Sequence, residues 1–232
     1  MTKRTRIALV GATGLVGHEI LQQSIGREDL RIVAIARREV PLPPGARMEV
    51  FVAEPGKWGE VLEAVRPDVL VSALGTTIRK VGGDKDAFRA VDRDLVLETA
   101  RAAVDAGVER CVAVSSVGAD SHSRNFYLSV KGQAEAGLAK AGFKRLDMLR
   151  PGLLRGQRSG DPRPAERLGM AFGPIANAFL HGQARRYRAI GAQKVAEAAL
   201  ALALRKTQGR FVHEYDGIAR AAQMLPRLDT AE

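Results

Sequence analysis

The chain has 232 residues, 46% of them hydrophobic, and a formal net charge of +10 from 36 basic against 26 acidic residues. That length suits one α/β domain, the hydrophobic share argues against disorder, and an aromatic share of 5% argues against an all-β sandwich or a base-stacking nucleic-acid binder. A single cysteine, Cys111, excludes an internal disulfide framework and a cysteine-based zinc site. No apolar run reaches the ~20 residues of a membrane span. The basic N-terminus leads into an apolar run, residues 7–10, too short for the core of a signal peptide. On these grounds the expectation is a cytoplasmic protein with no membrane partner.

Taken in order, residues 7–10, 32–36, 50–53, 69–73, 112–114 and 148–149 are short and rich in Val, Ile, Leu and Ala. They lack polar alternation, as strands buried on both faces do. Between them lie helix-like stretches at 15–24, 57–65, 86–106 and 128–141. The resulting order, β-α-β-β-α-β-α-β-α-β, predicts a parallel sheet covered by helices, a Rossmann-type doubly wound fold. Between the second and third strands stands a Pro-rich loop, Pro41-Leu42-Pro43-Pro44-Gly45, where a full helix would be the rule. After Pro151 the pattern loosens. Residues 156–164 read as a loop, 165–181 as one or two helices broken near Gly173-Pro174, 193–205 as an alanine-rich helix, 210–213 as a last strand and 218–224 as a last helix. Nothing resembles a linker, so the expectation is one domain over 1–232, with 153–190 as a small C-terminal cover on the substrate side.

The first strand runs into Gly11-Ala12-Thr13-Gly14-Leu15-Val16-Gly17, a G-x-x-G-x-x-G spacing. Glycines there permit a tight strand-to-helix turn and close backbone approach to a pyrophosphate, and the following helix offers free N–H groups and its positive dipole end. A lone glycine motif is weak, but this one stands between the first strand and the first helix, which is the context it needs. Sites that bind NAD usually carry an acid at the end of the second strand. Here that strand ends in Arg37-Arg38, and Glu39 comes later. Arginines at that place suit a 2′-phosphate through charge-assisted bonds, which favours NADP(H) over NAD(H).

The fifth strand ends in Ser115-Ser116, and Tyr127 and Lys131 follow at i and i+4, on one face of the next helix. A lysine ammonium near a phenol stabilises the phenolate and lowers its pKa, so the phenol can exchange a proton with a carbonyl oxygen. A serine hydroxyl can hold that oxygen. The pair alone is common by chance, and the order of glycine loop, strand-end serine and Tyr/Lys gives it weight. The four histidines, His18, His122, His181 and His213, are scattered without metal-ligand spacing, so no metal is expected. Cys111 starts an inner strand and reads as a buried structural thiol.

The segments Val91-Asp92-Arg93-Asp94, Ser115-Ser116-Val117-Gly118-Ala119-Asp120, Asn125-Phe126-Tyr127-Leu128-Ser129-Val130-Lys131-Gly132 and Leu149-Arg150-Pro151-Gly152 resemble the atypical short-chain dehydrogenases/reductases. Within that family the chain is most similar to the Tat-interacting-protein-like oxidoreductases and their bacterial relatives. The resemblance implies that Gly11, Thr13, Gly14, Leu15, Val16 and Gly17 face the pyrophosphate, and that Arg37 and Arg38 meet the 2′-phosphate. It implies that Ala73, Leu74, Gly75 and Thr76 pass beneath the adenosine and ribose, and that Pro151, Gly152 and Leu153 border the nicotinamide. Ser116 would orient the substrate carbonyl, with Ser115 as the fallback. Tyr127 would be the acid/base, and Lys131 would lower its pKa and bind the nicotinamide ribose. Many relatives carry Asn where this chain has Asp92, which puts a proton-relay role for that position in doubt.

The activity implied is hydride transfer between NADPH and a small-molecule carbonyl. One rival is nucleotide-sugar epimerase or dehydratase chemistry, which uses the same Ser/Tyr/Lys set, although the C-terminal region is short for such a pocket. The other is an NADPH-sensing regulatory or interaction module with little catalysis. Nucleic acid is supported by net charge alone, and the chain carries no block of five consecutive basic residues. Monomer and homodimer are both open. Residues 145–188 hold nine arginines against three acids, which reads as a face for an anionic substrate, a basic docking face or ordinary solvated surface.

Overall fold

A computed structural model describes residues 4–46, 48–156 and 180–228. Seven parallel strands form one sheet in the order β3-β2-β1-β4-β5-β6-β9. They are β1 (Thr5–Val10), β2 (Leu30–Ala36), β3 (Glu49–Val52), β4 (Val69–Ser72), β5 (Arg110–Val114), β6 (Arg145–Leu149) and β9 (Gly209–His213). A second, two-stranded parallel sheet pairs β7 (Leu154–Arg155) with β8 (Ile190–Gly191). The helices are α1 (Leu15–Gln23), α2 (Trp58–Val65), α3 (Lys85–Arg89), α4 (Leu95–Asp105), α5 (Phe126–Leu138), α6 (Ala192–Ala203) and α7 (Tyr215–Gln223). This is the doubly wound α/β fold expected from the alternation of apolar runs, with the Pro-rich segment after β2 reduced to a turn at Pro44-Gly45. The expected loop and helices at 157–179 lie outside the described residues.

The inner strands are mostly apolar because both faces are covered. One core cluster joins Ile7, Leu9, Val71 and Leu149 to α1, α6 and α7; the other joins Ala8, Val10, Leu70 and Cys111 to α2 and α4. Alternate residues of one strand thus belong to opposite layers, the period-2 rule working on both sides of the sheet. Burial pushes the Cys111 thiol up, with the nearby Asp147 charge adding to it. The thiol therefore stays neutral, as a structural cysteine should.

The sixth strand carries a buried charge cluster that the sequence does not announce. Arg145 forks onto Asp147 through Nε (2.6 Å) and Nη2 (3.0 Å), and His213 of β9 places Nε2 2.8 Å from the same carboxylate. Arg145 also donates to the Thr207 carbonyl at 2.6 Å, and its guanidinium lies 4.6 Å from the Phe211 ring centre. Asp147 is fully buried, so its charge is tolerable only with these partners. Together they bolt the edge strand β9 onto β6. Asp147→Ala strands the buried Arg145, so it should cost about 3–5 kcal/mol of unfolding free energy, measured by chemical denaturation.

Candidate active site

The C-terminal ends of β1, β2, β4, β5 and β6 share one edge of the sheet, where doubly wound folds bind ligands. The glycine loop leaves β1 there. Gly11 has φ +84°, and a Cβ on it would stand 2.7 Å from the Leu74 nitrogen, so its backbone lies directly against the β4 exit. A Cβ on Gly17 would stand 2.8 Å from the Ala12 Cα, which means α1 presses onto the loop it grows from. Gly14 donates its N–H to the Gly11 carbonyl at 3.0 Å and caps α1 with no side chain. The first turn of α1 carries no acidic residue, so its positive end is uncompensated. This bare, close-packed cradle, with Thr13 exposed on it, fits a dinucleotide pyrophosphate.

The β2 exit lies beside it, since Ile35 of β2 pairs with Val10 of β1. Arg37 and Arg38 stand there exposed, and among the described residues neither forms an ion pair. The β4 exit supplies Ala73, Leu74, Gly75 and Thr76, and Gly75 is exposed. The β5 exit is laced to the β6 exit: Ser115 donates its N–H to the Leu149 carbonyl (2.7 Å) and Val117 to the Pro151 carbonyl (3.0 Å). Serines and the Pro151-Gly152 corner therefore belong to one rigid rim. Ser116 Oγ has only a long contact, 3.4 Å, to the Val117 carbonyl. Ser115 Oγ is buried and makes no hydrogen bond among the described residues.

Helix α5 begins at the Asn125 cap, whose Oδ1 accepts the Leu128 N–H at 3.2 Å. It carries Tyr127 half-buried, with the ring 5.7 Å from that of the fully buried Phe88 in α3. One turn on, Lys131 is buried with Nζ 2.7 Å from Asp92 Oδ1. The other carboxylate oxygen of Asp92 accepts the Thr76 N–H at 2.7 Å. The expected long helix at 86–106 is in fact α3, a π-helical turn at Ala90–Asp94, and α4, with Asp92 inside the π turn. The departure has a physical reason. A π turn inserts one residue and rotates the helix beyond it, and such turns concentrate at functional sites. Here it turns a carboxylate inward between helices whose flanking Arg93 and Asp94 pair with each other near the surface, at 2.6 Å.

Three further contacts fix α5. Gly132 lies so close to the β5 exit loop that a Cβ would stand 2.6 Å from the Asp120 Cα. Arg93 donates to Gln133 Oε1 at 3.0 Å. Arg150, at the β6 exit, holds the buried Glu135 through Nε at 2.9 and 3.1 Å and through Nη2, and this bond holds the guanidinium pKa up. Sequence reasoning treated Gly132 and Arg150 as motif residues without a role and missed Glu135 and Phe88. The i+4 spacing from Lys131 to Glu135 was the one readable signal.

The segment after Gly152 turns back over the site. A Cβ on Gly152 would stand 2.9 Å from the Tyr187 carbonyl, in a 3-10 stretch at Gly182–Tyr187, and one on Gly156 would stand 2.9 Å from Leu15 Cδ1 at the start of α1. Leu153 is 62% exposed on this rim. The described arginines of 145–188 are largely committed. Arg145 and Arg150 hold carboxylates, Arg185 pairs with Asp216 at 2.8 Å, and Arg155 and Arg188 donate to the Ala189 and Leu180 carbonyls. A cavity of about 340 Å³ near Asp68, Arg110, Lys144 and Lys206 opens at the opposite edge of the sheet, away from every residue named for the site.

Residues 11–173 match a family described as NAD(P)H-binding. The mitochondrial protein fmp52 of Emericella nidulans is 37% identical over 196 residues, which cover 80% of this chain and 83% of that protein. The mitochondrial protein FMP52 of Saccharomyces cerevisiae is 37% identical over 154 residues, 65% of this chain and 66% of that one. Among solved structures, MoeE5 in complex with UDP-glucose and NAD superposes with a TM-score of 0.68 at 17% identity, over 90% of this chain and 75% of its own. The UDP-Glc/GlcNAc 4-epimerase of Campylobacter jejuni gives 0.67 at 13% identity, over 93% and 82%. Identities this low carry the fold, and the fold is the expected one. The relatives correct the expectation of a cytoplasmic protein, because they are named as mitochondrial.

The contact at Gly132 is testable against a neighbour. Gly132→Ala meets backbone and should lose about 1–3 kcal/mol of stability, whereas a Cβ at Gly137 meets the movable end of Leu97, so Gly137→Ala should stay within about 1 kcal/mol of the parent. Thermal unfolding of the two variants side by side reads the difference.

Proposed function

The chain belongs to the NAD(P)H-binding family, with Fmp52 proteins as relatives, and we propose that it is an NADPH-dependent oxidoreductase of the short-chain type that interconverts a small carbonyl compound and its alcohol. The observation that carries the reading is the convergence of three groups on the edge beside the glycine loop. These are the weakly held Ser116 hydroxyl at the β5 exit, the half-buried Tyr127 phenol, and the Lys131 ammonium buried against Asp92 beneath Gly75. Proximity of this kind is what converts a collision into a positioned reaction.

NADPH, when bound, supplies the hydride. The chain's own groups do the rest. Gly11, Gly14 and Gly17 leave room for the pyrophosphate, and the N-terminus of α1 faces its charge. Ser116 donates a hydrogen bond to the carbonyl oxygen, Tyr127 passes its phenolic proton to that oxygen, and Lys131 holds the ribose beside them. Pro151, Gly152 and Leu153 form the wall on the nicotinamide side. Arg37 and Arg38, exposed and unpaired among the described residues, support a 2′-phosphate ligand and hence NADP(H). The names of the relatives support a mitochondrial setting for this chain.

Tyr127→Phe removes the proton donor and keeps the ring on Phe88. Turnover of a carbonyl panel, followed by NADPH absorbance, should fall by at least about a hundredfold, while NADPH still binds; normal turnover would refute the role of Tyr127. Replacing Arg37 and Arg38 together with serine should weaken NADPH binding about 10- to 100-fold, the worth of lost charge-assisted bonds, and leave NADH binding within about twofold. Tighter binding of NADH than NADPH by the parent protein would overturn the cofactor assignment.

A further inference from the structure

We propose that Asp92 is the positioning residue of this site: its carboxylate, divided between the Lys131 ammonium and the Thr76 N–H, holds the lysine beneath Gly75 so that the ammonium meets the ligand through the gap this glycine leaves. The inference rests on the cofactor reading above and names what sets the lysine's place within it.

The geometry is specific. The Asp92 side chain is fully buried, and that of Lys131 is 8% exposed. Removing two charges from water is costly, and an apolar pair of similar size is often as stable, so stability alone is a weak reason for such a pair. The pair also spans three chain segments: the β4 exit through Thr76, the π turn through Asp92, and α5 through Lys131. Oδ1 of Asp92 lies 2.7 Å from Nζ, the distance of a charge-assisted contact. That contact takes at most one of the three ammonium N–H groups and leaves the others for another acceptor.

The direction of that acceptor follows from Gly75. Its backbone is exposed, and a Cβ there would lie 3.4 Å from Asp92 Oδ1 and 3.6 Å from Lys131 Nζ. Any side chain at this position would cover the pair from the ligand side. Glycine leaves it accessible to a neutral hydroxyl-bearing group such as a ribose, which accepts from the ammonium without competing for the carboxylate. The carboxylate at position 92 thus gives a lysine whose position is set by charge.

The test is a double-substitution cycle read by ligand binding. Asp92→Asn keeps an acceptor for Thr76 and removes the charge. Asp92→Asn and Lys131→Met should each weaken NADPH binding by about tenfold or more. Both should leave binding of adenosine 2′,5′-bisphosphate, which lacks the nicotinamide half, within about twofold. The double variant should bind NADPH no more weakly than Lys131→Met alone, since the two residues act as one. Gly75→Ala, checked for folding by its thermal transition, should show the same split between the two ligands. The proposal is overturned if Asp92→Asn binds NADPH as the parent does, if both ligands weaken equally, or if the losses add in the double variant. If the parent binds NADH and not NADPH, the 2′-phosphate assignment fails alone, and the cycle is run with NADH and 5′-AMP under the same criteria. A parent protein that binds neither dinucleotide removes the cofactor reading and the proposal with it.

Discussion

Helix α5 and the loop leaving β5 meet at Gly132, across a gap too small for a methyl group, and the site depends on that seat. The loop carries the serines, the helix carries Tyr127 and Lys131, and this backbone approach is the tightest point between the two. Around it the protein adds polar clamps: Ser129 Oγ donates to the Ser121 carbonyl at 3.1 Å on one side, and Arg150 grips Glu135 on the other. Backbone proximity sets the distance, and the clamps set the rotation of the helix about its axis. A functional pair at i and i+4 needs both, because a rotation of one residue would swing the phenol away from the rim.

The distribution of charge has a similar logic. The +10 excess invites a search for an anionic partner, yet much of the arginine in the described part of the C-terminal half ties the chain to itself. Arg145 stitches β6 to the β9 segment, Arg150 joins the sheet edge to α5, and Arg185 joins the 3-10 stretch to α7. Guanidinium suits these places because one group serves a carboxylate and a carbonyl at once. Arg37 and Arg38 form no such tie among the described residues.

Much of the fold was legible in the sequence. Covered strands are mostly apolar and the glycine loop marks the first crossover, so local pattern reveals the order of elements, while limits moved by up to three residues where polar residues open an element, as at Arg145 and Asp147 of β6. The last strand and helix were readable as an apolar run followed by an amphipathic one. The pair β7 and β8 was not, since two-residue strands carry no period. Nor was the π turn: residues 86–106 have a continuous helical texture, and the extra residue that turns Asp92 inward is imposed by tertiary packing. The candidate site was legible as residue types in order. Its electrostatics were not, because the partner of Lys131 lies 39 positions away and carries a residue that departs from the familiar pattern. Compartment was the plainest miss, since neither composition nor the length of apolar runs discriminates among compartments.

The docking of β9 bears on the order in which the molecule assembles. Leu149 pairs with His213, 64 positions further along the chain, the longest separation between neighbouring strands of the main sheet. β9 is also the last strand of the main sheet in chain order, so during synthesis this pairing waits for residues 209–213 to emerge. The Arg150 N–H donates to the His213 carbonyl at 2.8 Å, directly before the Pro151-Gly152 corner. The rim at the β6 exit is therefore completed by the same event that removes Asp147 from water. A nascent chain would expose an incomplete groove at this edge of the sheet until β9 arrives, and a ligand that bridges the β1 and β6 ends would draw the assembly to completion.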